Sequence, residues 1–486
     1  MHLGERVTAL AALGARDVLA ISSDSRSVEP GTLFFAVPGW QSDGAQHAEA
    51  AVRAGAIAVV SEAEPRQLSV PWLRVKDVRA VLADACRSFF ARDLSPMRYA
   101  GVTGTNGKTT ITFLFEQMAR AAGVRCGLLG TIEQRFENQR WPATHTTLLP
   151  IELCGRLQEM ETLGAQWAVL EVSSHALDQK RADALRFSVS GFTNLTPDHL
   201  DYHGTMDAYF VAKARLFREL TSGMSVIHTG GAGGERMLAE VTGEKLTVAR
   251  DAGDVYVKRA HVERDRTPLT LHTPQGPLEL ISPLIGDFNV ENVLVAVGMG
   301  IAAGFSLDAI ARGIEKVRVP GRLQAVRAPN GRLAFVDYAH TPDALARTLS
   351  TLQALPHARV LCVFGCGGDR DKAKRPLMGE AVAAHSDVAV VTSDNPRSEA
   401  PEAIIADILP GLSAFERRTA RAPVVSRSVV VLPDRGEAIR WAADKMSPQD
   451  LLLVAGKGHE NYQIVGDERR HFDDCESLEA AFGGAA

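Results

Sequence analysis

The residues with the clearest chemical reach lie in Gly101-Val-Thr-Gly-Thr-Asn-Gly-Lys-Thr-Thr110, between a stretch with strand character and one with helix character. Glycines at 104 and 107 let the backbone curl with its N–H groups facing inward, and the helix start adds partial positive charge. Lys108 can reach the β- and γ-phosphates of a nucleotide, and Thr109 can ligate a magnesium ion that bridges them. Strict Walker spacing asks for glycine at 102, where this chain has Val102, so the loop is a variant, TGTxGKTT. A glycine-rich turn without a ligand is the competing reading. The strand before it, the helix after it and the Lys-Thr pair favour nucleotide binding.

Further side chains add to this chemistry. Glu171 ends an apolar strand, where a carboxylate is costly to bury without a partner, and a cation would supply one. His199 follows a second strand and a Pro turn; it either faces the same crevice or caps and packs as an ordinary histidine. Lys213 sits in the helical stretch Ala208–Phe217 among Tyr209, Phe210, Ala212, Leu216 and Phe217. It either snorkels to solvent or is desolvated into a nucleophilic amine. Asp394-Asn-Pro-Arg397 reads as a turn that starts a helix, or as a site where the planar fork of Arg397 meets a carboxylate.

The elements that must position these groups alternate. In the first ~95 residues Leu33–Val37 and Ala56–Val60 read as strands, Ala45–Ala54 and Val78–Arg92 as helices, and Asp93-Leu-Ser-Pro96 as a turn. Next come strands Arg98–Thr103, Gln166–Val172 and Phe187–Asn194, with helices Thr109–Ala122, Gly286–Ile301 and Leu307–Val317. The last part holds strands Ala334–Tyr338, Val360–Phe364, Val388–Thr392 and Leu451–Ala455. Helices Pro342–Leu355, Arg375–His385, Ala400–Leu409 and Gly436–Lys445 separate them. This rhythm predicts an α/β fold of mostly parallel sheets with helices on both faces. Ligands in such sheets sit at the carboxyl ends of the strands, where these motifs fall.

Composition excludes several classes. A net charge of -5 leaves no broad basic surface for nucleic acid. No run of about 18 apolar residues suggests a membrane span, and the first residues lack the pattern of a secretory signal. Six cysteines without CxxC spacing read as reduced thiols. The expectation is a soluble cytoplasmic protein.

The variant loop resembles that of the Mur ligases and their folylpolyglutamate synthase relatives. Glu171-Val-Ser-Ser-His-Ala176, Asn194-Leu-Thr-Pro-Asp-His-Leu-Asp201, Ala212-Lys213, Gly286-Asp-Phe-Asn289, Pro320-Gly-Arg322 and Asp337-Tyr-Ala-His340 follow in family order. The resemblance implies three domains: 1–96 for a UDP-substrate, 97–325 as a central P-loop ATPase domain, and 326–486 as a Rossmann-like domain for the incoming amino acid. It implies transfer of phosphate from ATP to a substrate carboxylate, then attack of an amine on the acyl phosphate. Gly104, Thr105, Asn106, Gly107, Lys108, Thr109, Thr110, Asn289, Arg322 and Asp337 would hold ATP, Asp337 through the ribose hydroxyls. About two Mg2+ ions would be held by Thr109, Glu171, His199 and Lys213, the lysine as its carbamate (N6-carboxylysine). Lys108, Glu171, His199, Lys213 and Arg322 would be the catalytic set. Ala339 stands where some relatives have a lysine.

Asp24-Ser-Arg26 and Gly39-Trp-Gln-Ser-Asp-Gly44 resemble the uridine-nucleotide site of the diaminopimelate- and lysine-adding branch. That places Ser23, Ser25, Trp40, Gln41 and Ser42 around UDP. His145, Thr146, Thr147, Ser173, Gln179 and Arg181 would surround the muramoyl dipeptide of UDP-N-acetylmuramoyl-L-alanyl-D-glutamate. His145 and Leu148-Leu149 depart from the Asn and Pro usual beside that Thr pair. Asp394, Asn395, Pro396 and Arg397, with Arg370, Gly456 and Glu460, resemble a site for meso-2,6-diaminopimelate; L-lysine is the alternative amino acid. A lysine-specific site gains little from Arg397, which an unmatched ligand would leave unpaired. The resemblance further implies a monomer.

Overall fold

The computed structural model describes residues 17–39 and 43–483. They form two compact units, one built from the chain up to Tyr256 with Leu294–Gly313, the other from Val257–Val293 and from Ile314 onward.

The first unit opens with a parallel sheet in the order β1 (Ala20–Ser22), β2 (Thr32–Ala36), β3 (Ala56–Ser61), β4 (Trp72–Arg74). Strand alternation sorts its side chains. Phe34, Ala36 and Val59 pack with Ala48 and Ala51 of the helix Ala48–Arg53, while Leu33, Phe35 and Val60 pack with Val78, Leu82 and Cys86 of the helix Val78–Phe89. The first helix enters through a 3-10 turn, Gly44–His47, because the Asp43 carboxylate caps Ala45. The second stops at Phe89 rather than running to Arg92. Ala91 turns left-handed at φ 48, and the buried Arg92 bends away to pair with Glu161 at 2.8 Å.

The large sheet of this unit uses β5 (Arg98–Thr103), β6 (Cys126–Leu129), β7 (Gln134–Phe136), β8 (Gln139–Trp141), β9 (Trp167–Glu171), β10 (Phe187–Phe192), β11 (Thr221–His228) and β12 (Lys245–Ala249). Their order is β12-β11-β10-β5-β9-β6-β7-β8, parallel except for β7 and β8. Strand β13 (Val255–Ala260) starts beside β12. A glycine at 191 lets Met299 pack directly on β10, where a Cβ would come within 2.5 Å of its sulfur.

The second unit carries the hairpin β14 (Thr267–His272)–β15 (Leu278–Ser282). Its main sheet uses β16 (Gln324–Arg327), β17 (Leu333–Asp337), β18 (Val360–Phe364), β19 (Val388–Val391), β20 (Glu416–Arg418), β21 (Ser428–Val431) and β22 (Leu451–Ala455). The order is β16-β17-β22-β18-β19-β21-β20, all parallel but for β16. Both faces are buried: Phe335, Cys362 and Leu453 face Leu345, Leu349, Met378 and Ile405, while Val336, Val363 and Val454 face Ile439, Ala442 and Leu478. The hairpin β23 (Tyr462–Val465)–β24 (Glu468–His471) follows. The expected α/β architecture of mostly parallel sheets is the one observed.

Candidate functional site

Register decides which residues meet in the first unit. Val102 of β5 pairs with Glu171 of β9, and Thr103 pairs with Phe192 of β10. Three parallel strands therefore end level, placing the phosphate-loop sequence, Glu171 and the Thr193–His199 segment along one sheet edge.

The loop closes on that neighbouring segment. Gly104 has φ 148, and a Cβ there would collide with the Thr193 hydroxyl. Thr105 N–H donates to Asn194 O at 2.9 Å, Asn106 N–H to Asn194 Oδ1 at 3.0 Å, and Thr193 Oγ1 to Asn106 O at 2.6 Å. Gly107, at φ 91, starts the helix Lys108–Ala121, whose first turn buries Thr109 and Thr110. Lys108 Nζ folds back onto Gly104 O at 2.9 Å and Thr105 O at 2.8 Å. Thr105 Oγ1 lies 3.1 Å from the Tyr209 hydroxyl.

Lys213 arrives from the helix Met206–Arg215, which Thr205 caps through Ala208 N–H. Its side chain does not snorkel: it is 1% exposed, passes 4.4 Å over the Tyr209 ring and donates to Gly104 O at 2.9 Å. Two lysines thus share one carbonyl. Burial, and after it the charge of Lys108, hold Lys213 well below the usual lysine range, against a smaller pull from Asp198.

Glu171, also 1% exposed, is capped by a residue that sequence reasoning missed. Thr131 donates its N–H to Oε1 at 2.9 Å and its hydroxyl to Oε2 at 3.1 Å. Gly130 permits this approach, since a Cβ there would lie 2.4 Å from Oε1. Thr131 Oγ1 is 3.0 Å from Thr146 Oγ1, and Thr147 Oγ1 donates to Glu171 O at 2.8 Å. Ser173 N–H donates to Thr147 Oγ1 at 3.0 Å, and Arg181 donates to Thr147 O at 3.1 Å and Gln179 Oε1 at 2.7 Å. Glu171, Thr146, Thr147, Ser173, Gln179 and Arg181 are thus one hydrogen-bonded set. His145 stands apart, exposed beside Thr144 at 3.3 Å.

His199 turns left-handed at φ 53 to start the short helix Leu200–His203, and half its side chain is exposed. It packs edge-on to His175 at 4.8 Å, part of an aromatic group with Tyr202, His203 and Tyr209. Burial, then the neighbouring imidazoles, hold His175 below the usual imidazole range. Beside this group a cleft of about 430 Å³ is lined by Pro38, Gly39, Arg79, Asp178, Gln179, Tyr202, His203 and Ala208. Arg79 was not singled out from sequence; its guanidinium donates to Pro38 O at 2.6 Å, and next to burial it is the main influence lowering Arg181. Ser23 and Ser25 occupy the turn after β1, where Asp24 is held by Arg26 at 2.7 Å. Trp40, Gln41 and Ser42 lie outside the described residues.

In the second unit, Asp337 pairs with Ala455, Val363 with Val454, and Phe364 with Val391, so the loops after β17, β18, β19 and β22 again leave one sheet edge. Asp337 accepts Leu323 N–H and Ala339 N–H, each at 2.8 Å, and burial raises its carboxyl above the usual range against the pull of Arg322. Arg322 lies 5.2 Å from the Tyr338 ring centre. Asn289 is buried on the helix Asp287–Ala302 and donates to Ile285 O at 2.8 Å.

Asp394 and Asn395 are buried, and Asn395 Nδ2 donates to Glu460 Oε2 at 2.9 Å. Arg397, at φ 51, donates to Gly368 O at 2.7 Å; Gly456, at φ 114, brings its backbone so close that a Cβ would lie 2.6 Å from Asp394 Oδ2. Pro396 O packs on Gly368, and Arg370 is exposed on the same loop, near Gly367. The buried Lys457, between Gly456 and Glu460 and given no role from sequence, reaches into this group.

A P-loop at one strand edge and an Arg-Asp-Glu cluster at another define a nucleotide-dependent acid–amine ligase of the Mur type. Three family descriptions match: "Mur ligase family, catalytic domain" over residues 17–90, "Mur ligase middle domain" over 102–300 and "Mur ligase, glutamate ligase domain" over 321–458. The chain belongs to the Mur ligase family. It is 43% identical over 483 residues to the UDP-N-acetylmuramoyl-L-alanyl-D-glutamate–2,6-diaminopimelate ligase of Geobacter sulfurreducens, covering 96% of this chain and 95% of that one. The enzyme of the same name from Gloeobacter violaceus is 42% identical over 470 residues, 96% and 94% of the two chains. A solved structure of a ligase with that name is similar at a TM-score of 0.72 and 37% identity, covering 96% of this chain and 94% of that one.

Proposed function

We infer that this chain joins meso-2,6-diaminopimelate to UDP-N-acetylmuramoyl-L-alanyl-D-glutamate with hydrolysis of ATP, a step of peptidoglycan precursor synthesis. The near full-length similarity to enzymes of that name supports it. The observation that carries the choice of amino acid is the grouping of Asp394, Asn395, Arg397 and Glu460 at one strand edge. A guanidinium and a carboxylate in one pocket suit a ligand end that is itself an amino acid. No helix among the described residues is long and apolar enough to cross a membrane; we place the reaction in the cytoplasm, with its nucleotide substrates. We assign domains 1–96, 97–325 and 326–486; the first boundary falls between the sheet β1–β4 and β5, whereas the second falls inside β16, the edge strand of the sheet around β18.

The first half-reaction passes the γ-phosphoryl group of ATP to the glutamyl side-chain carboxylate. Positioning and neutralisation of charge supply most of such catalysis. In the loop Gly104–Thr110, where Asn194 takes the N–H groups of Thr105 and Asn106, the remaining N–H groups and Lys108 serve the phosphates; Asn289, Arg322 and Asp337 serve the nucleotide. Thr147, Ser173, Gln179 and Arg181 hold the dipeptide end, and Ser23, Ser25 and the segment Trp40–Ser42 hold UDP. The amine of diaminopimelate, oriented by Arg370, the Asp394–Arg397 turn, Gly456 and Glu460, then attacks the acyl phosphate. The tetrahedral intermediate collapses to the amide and inorganic phosphate.

Magnesium fits the donors present. Among the described residues no three His, Cys, Asp or Glu side chains converge into an all-protein cage. Magnesium keeps waters and substrate phosphates and needs only one or two carboxylates. Thr109, Glu171 and His199 would hold it, with Lys213 adding a second anionic oxygen donor once carbamylated. Burial, which holds Lys213 below the usual lysine range, favours the neutral amine, the form that attacks CO2. When bound, the metal neutralises charge on the transferring phosphoryl group.

The test is phosphate release with each substrate omitted in turn, and the mass of the UDP-linked product. Turnover should need ATP, the UDP-muramoyl dipeptide and diaminopimelate together. Better turnover with L-lysine or glutamate would overturn the assignment.

A further inference from the structure

Lys457 follows β22 in the Gly456–Glu460 turn, and its side chain is completely buried. Its ammonium donates to Asn395 Oδ1 at 3.2 Å and lies 3.5 Å from Glu460 Oε2 and 3.8 Å from Asp394 Oδ1. Asn395 Oδ1 also accepts Ile464 N–H at 3.0 Å, so the amide can point only its NH2 group at Glu460 Oε2, as observed at 2.9 Å. The lysine therefore fixes the amide through a hydrogen bond and holds the glutamate through an ion pair with Oε2. It also sets the charge. Within this cluster Asp394 and Glu460 contribute two negative charges and Lys457 and Arg397 two positive, which cancel; the exposed Arg370 adds a positive charge at its rim.

A neutral but strongly dipolar pocket suits a ligand end that carries both an ammonium and a carboxylate. A pocket with one net negative charge suits an end that carries an ammonium alone. We propose that Lys457 is a specificity-determining positioning residue. By holding Asn395 and Glu460 and cancelling one acidic charge, it makes the site select an amino acid with a zwitterionic far end over one with a simple amine. The inference rests on the reading of this pocket as the diaminopimelate site.

Lys457→Met should lower the ratio of kcat/KM for diaminopimelate to that for L-lysine by about ten- to a hundredfold. KM for ATP should stay within about twofold. The double variant Lys457→Met/Asp394→Asn restores the wild-type net charge and should recover part of the ratio, the rest being lost with the contacts of Asp394 itself. Lys457→Gln gives the same readout should the methionine variant fail to fold. On the wild type, diaminopimelate carrying an amide in place of its distal carboxylate should be used about as poorly as lysine. Equal loss for both amino acids in the single variant, or no recovery in the double, would make Lys457 a structural ion only and overturn the proposal. Wild-type enzyme that prefers lysine to diaminopimelate would instead overturn the reading of the pocket.

Discussion

Acid should loosen the second unit through one histidine, and the effect can be worked out. His459 lies in the turn after β22, its ring 4.9 Å from that of Tyr338, and its Nδ1 is buried with no partner among the described residues. Burial, followed by the charges of Arg322 and His340, pushes it down from 6.5 to about 4. Between those values the unfolded chain binds a proton that the native state refuses. Stability is therefore complete above pH 6.5, falls as pH drops towards 4 and levels off below. At about 1.4 kcal/mol per pH unit the loss is about 2 kcal/mol by pH 5 and about 3 kcal/mol by pH 4. His459→Phe keeps a ring against Tyr338 but cannot titrate. Denaturant unfolding of wild type and variant at pH 7, 6 and 5 cancels the other acidic groups in the difference. The variant should gain about 2 kcal/mol on wild type over that range, roughly 4–8 °C in the melting of a unit this size. Parallel pH profiles, or an imidazole that titrates near 6.5 by NMR, would refute the reasoning. Tyr338 N–H donates to Gly321 O at 2.9 Å, so the same protonation should disturb the Arg322 loop.

Lys108→Ala should abolish phosphate release, by about a hundredfold or more, while sparing binding of the UDP-substrate by calorimetry; undiminished turnover would remove the loop from the reaction. Lys213→Ala should be nearly inactive and partly rescued by small carboxylic acids, with an intact-mass CO2 adduct seen on wild type only. Thr131→Val deletes the hydroxyl 3.1 Å from Glu171 Oε2 but keeps the N–H bond. A charge-assisted bond worth about 1.5–3 kcal/mol implies roughly a ten- to hundredfold loss in turnover, part of it recovered by raised magnesium. Arg397→Ala should raise KM for diaminopimelate at least about tenfold and leave KM for ATP unchanged; equal changes would make Arg397 structural.

Periodicity identified the strands that build the two sheet edges because they are buried on both faces and read as unbroken apolar runs. Arg98–Thr103, Val360–Phe364 and Leu451–Ala455 have the bounds expected from their residues. Several strands that escaped notice are short or polar, although Thr221–His228 and Lys245–Ala249 are neither. Gln134–Phe136, Gln139–Trp141 and Glu468–His471 owe their strand form to a partner across a hairpin, a tertiary influence that local composition does not reveal. The helix Pro150–Thr162 was missed although Pro150 stands at its first turn. Among the site residues, those at strand ends or after glycines were legible. Thr131 was not, because a lone threonine after Gly130 carries no pattern; only the parallel pairing of β6 with β9 sets it against Glu171.

The two lysines on Gly104 O give the first unit its chemical direction. Burial first, and then the charge of Lys108 on the same carbonyl, disfavour an ammonium at Lys213. On the proposed mechanism two events use that bias: the nucleotide phosphates draw Lys108 away, and carbamylation converts Lys213 from a base to an anion. Both are steps towards catalysis, so the cost of burying Lys213 acts as a bias favouring the loaded state. The second unit uses the opposite arrangement, since Lys457 already has its anions at 3.5 and 3.8 Å and its charges cancel before a ligand enters. A charged, unbalanced edge awaiting polyanions and a balanced edge awaiting a zwitterion are what one chain needs to activate a carboxylate with ATP and then join it to an amino acid.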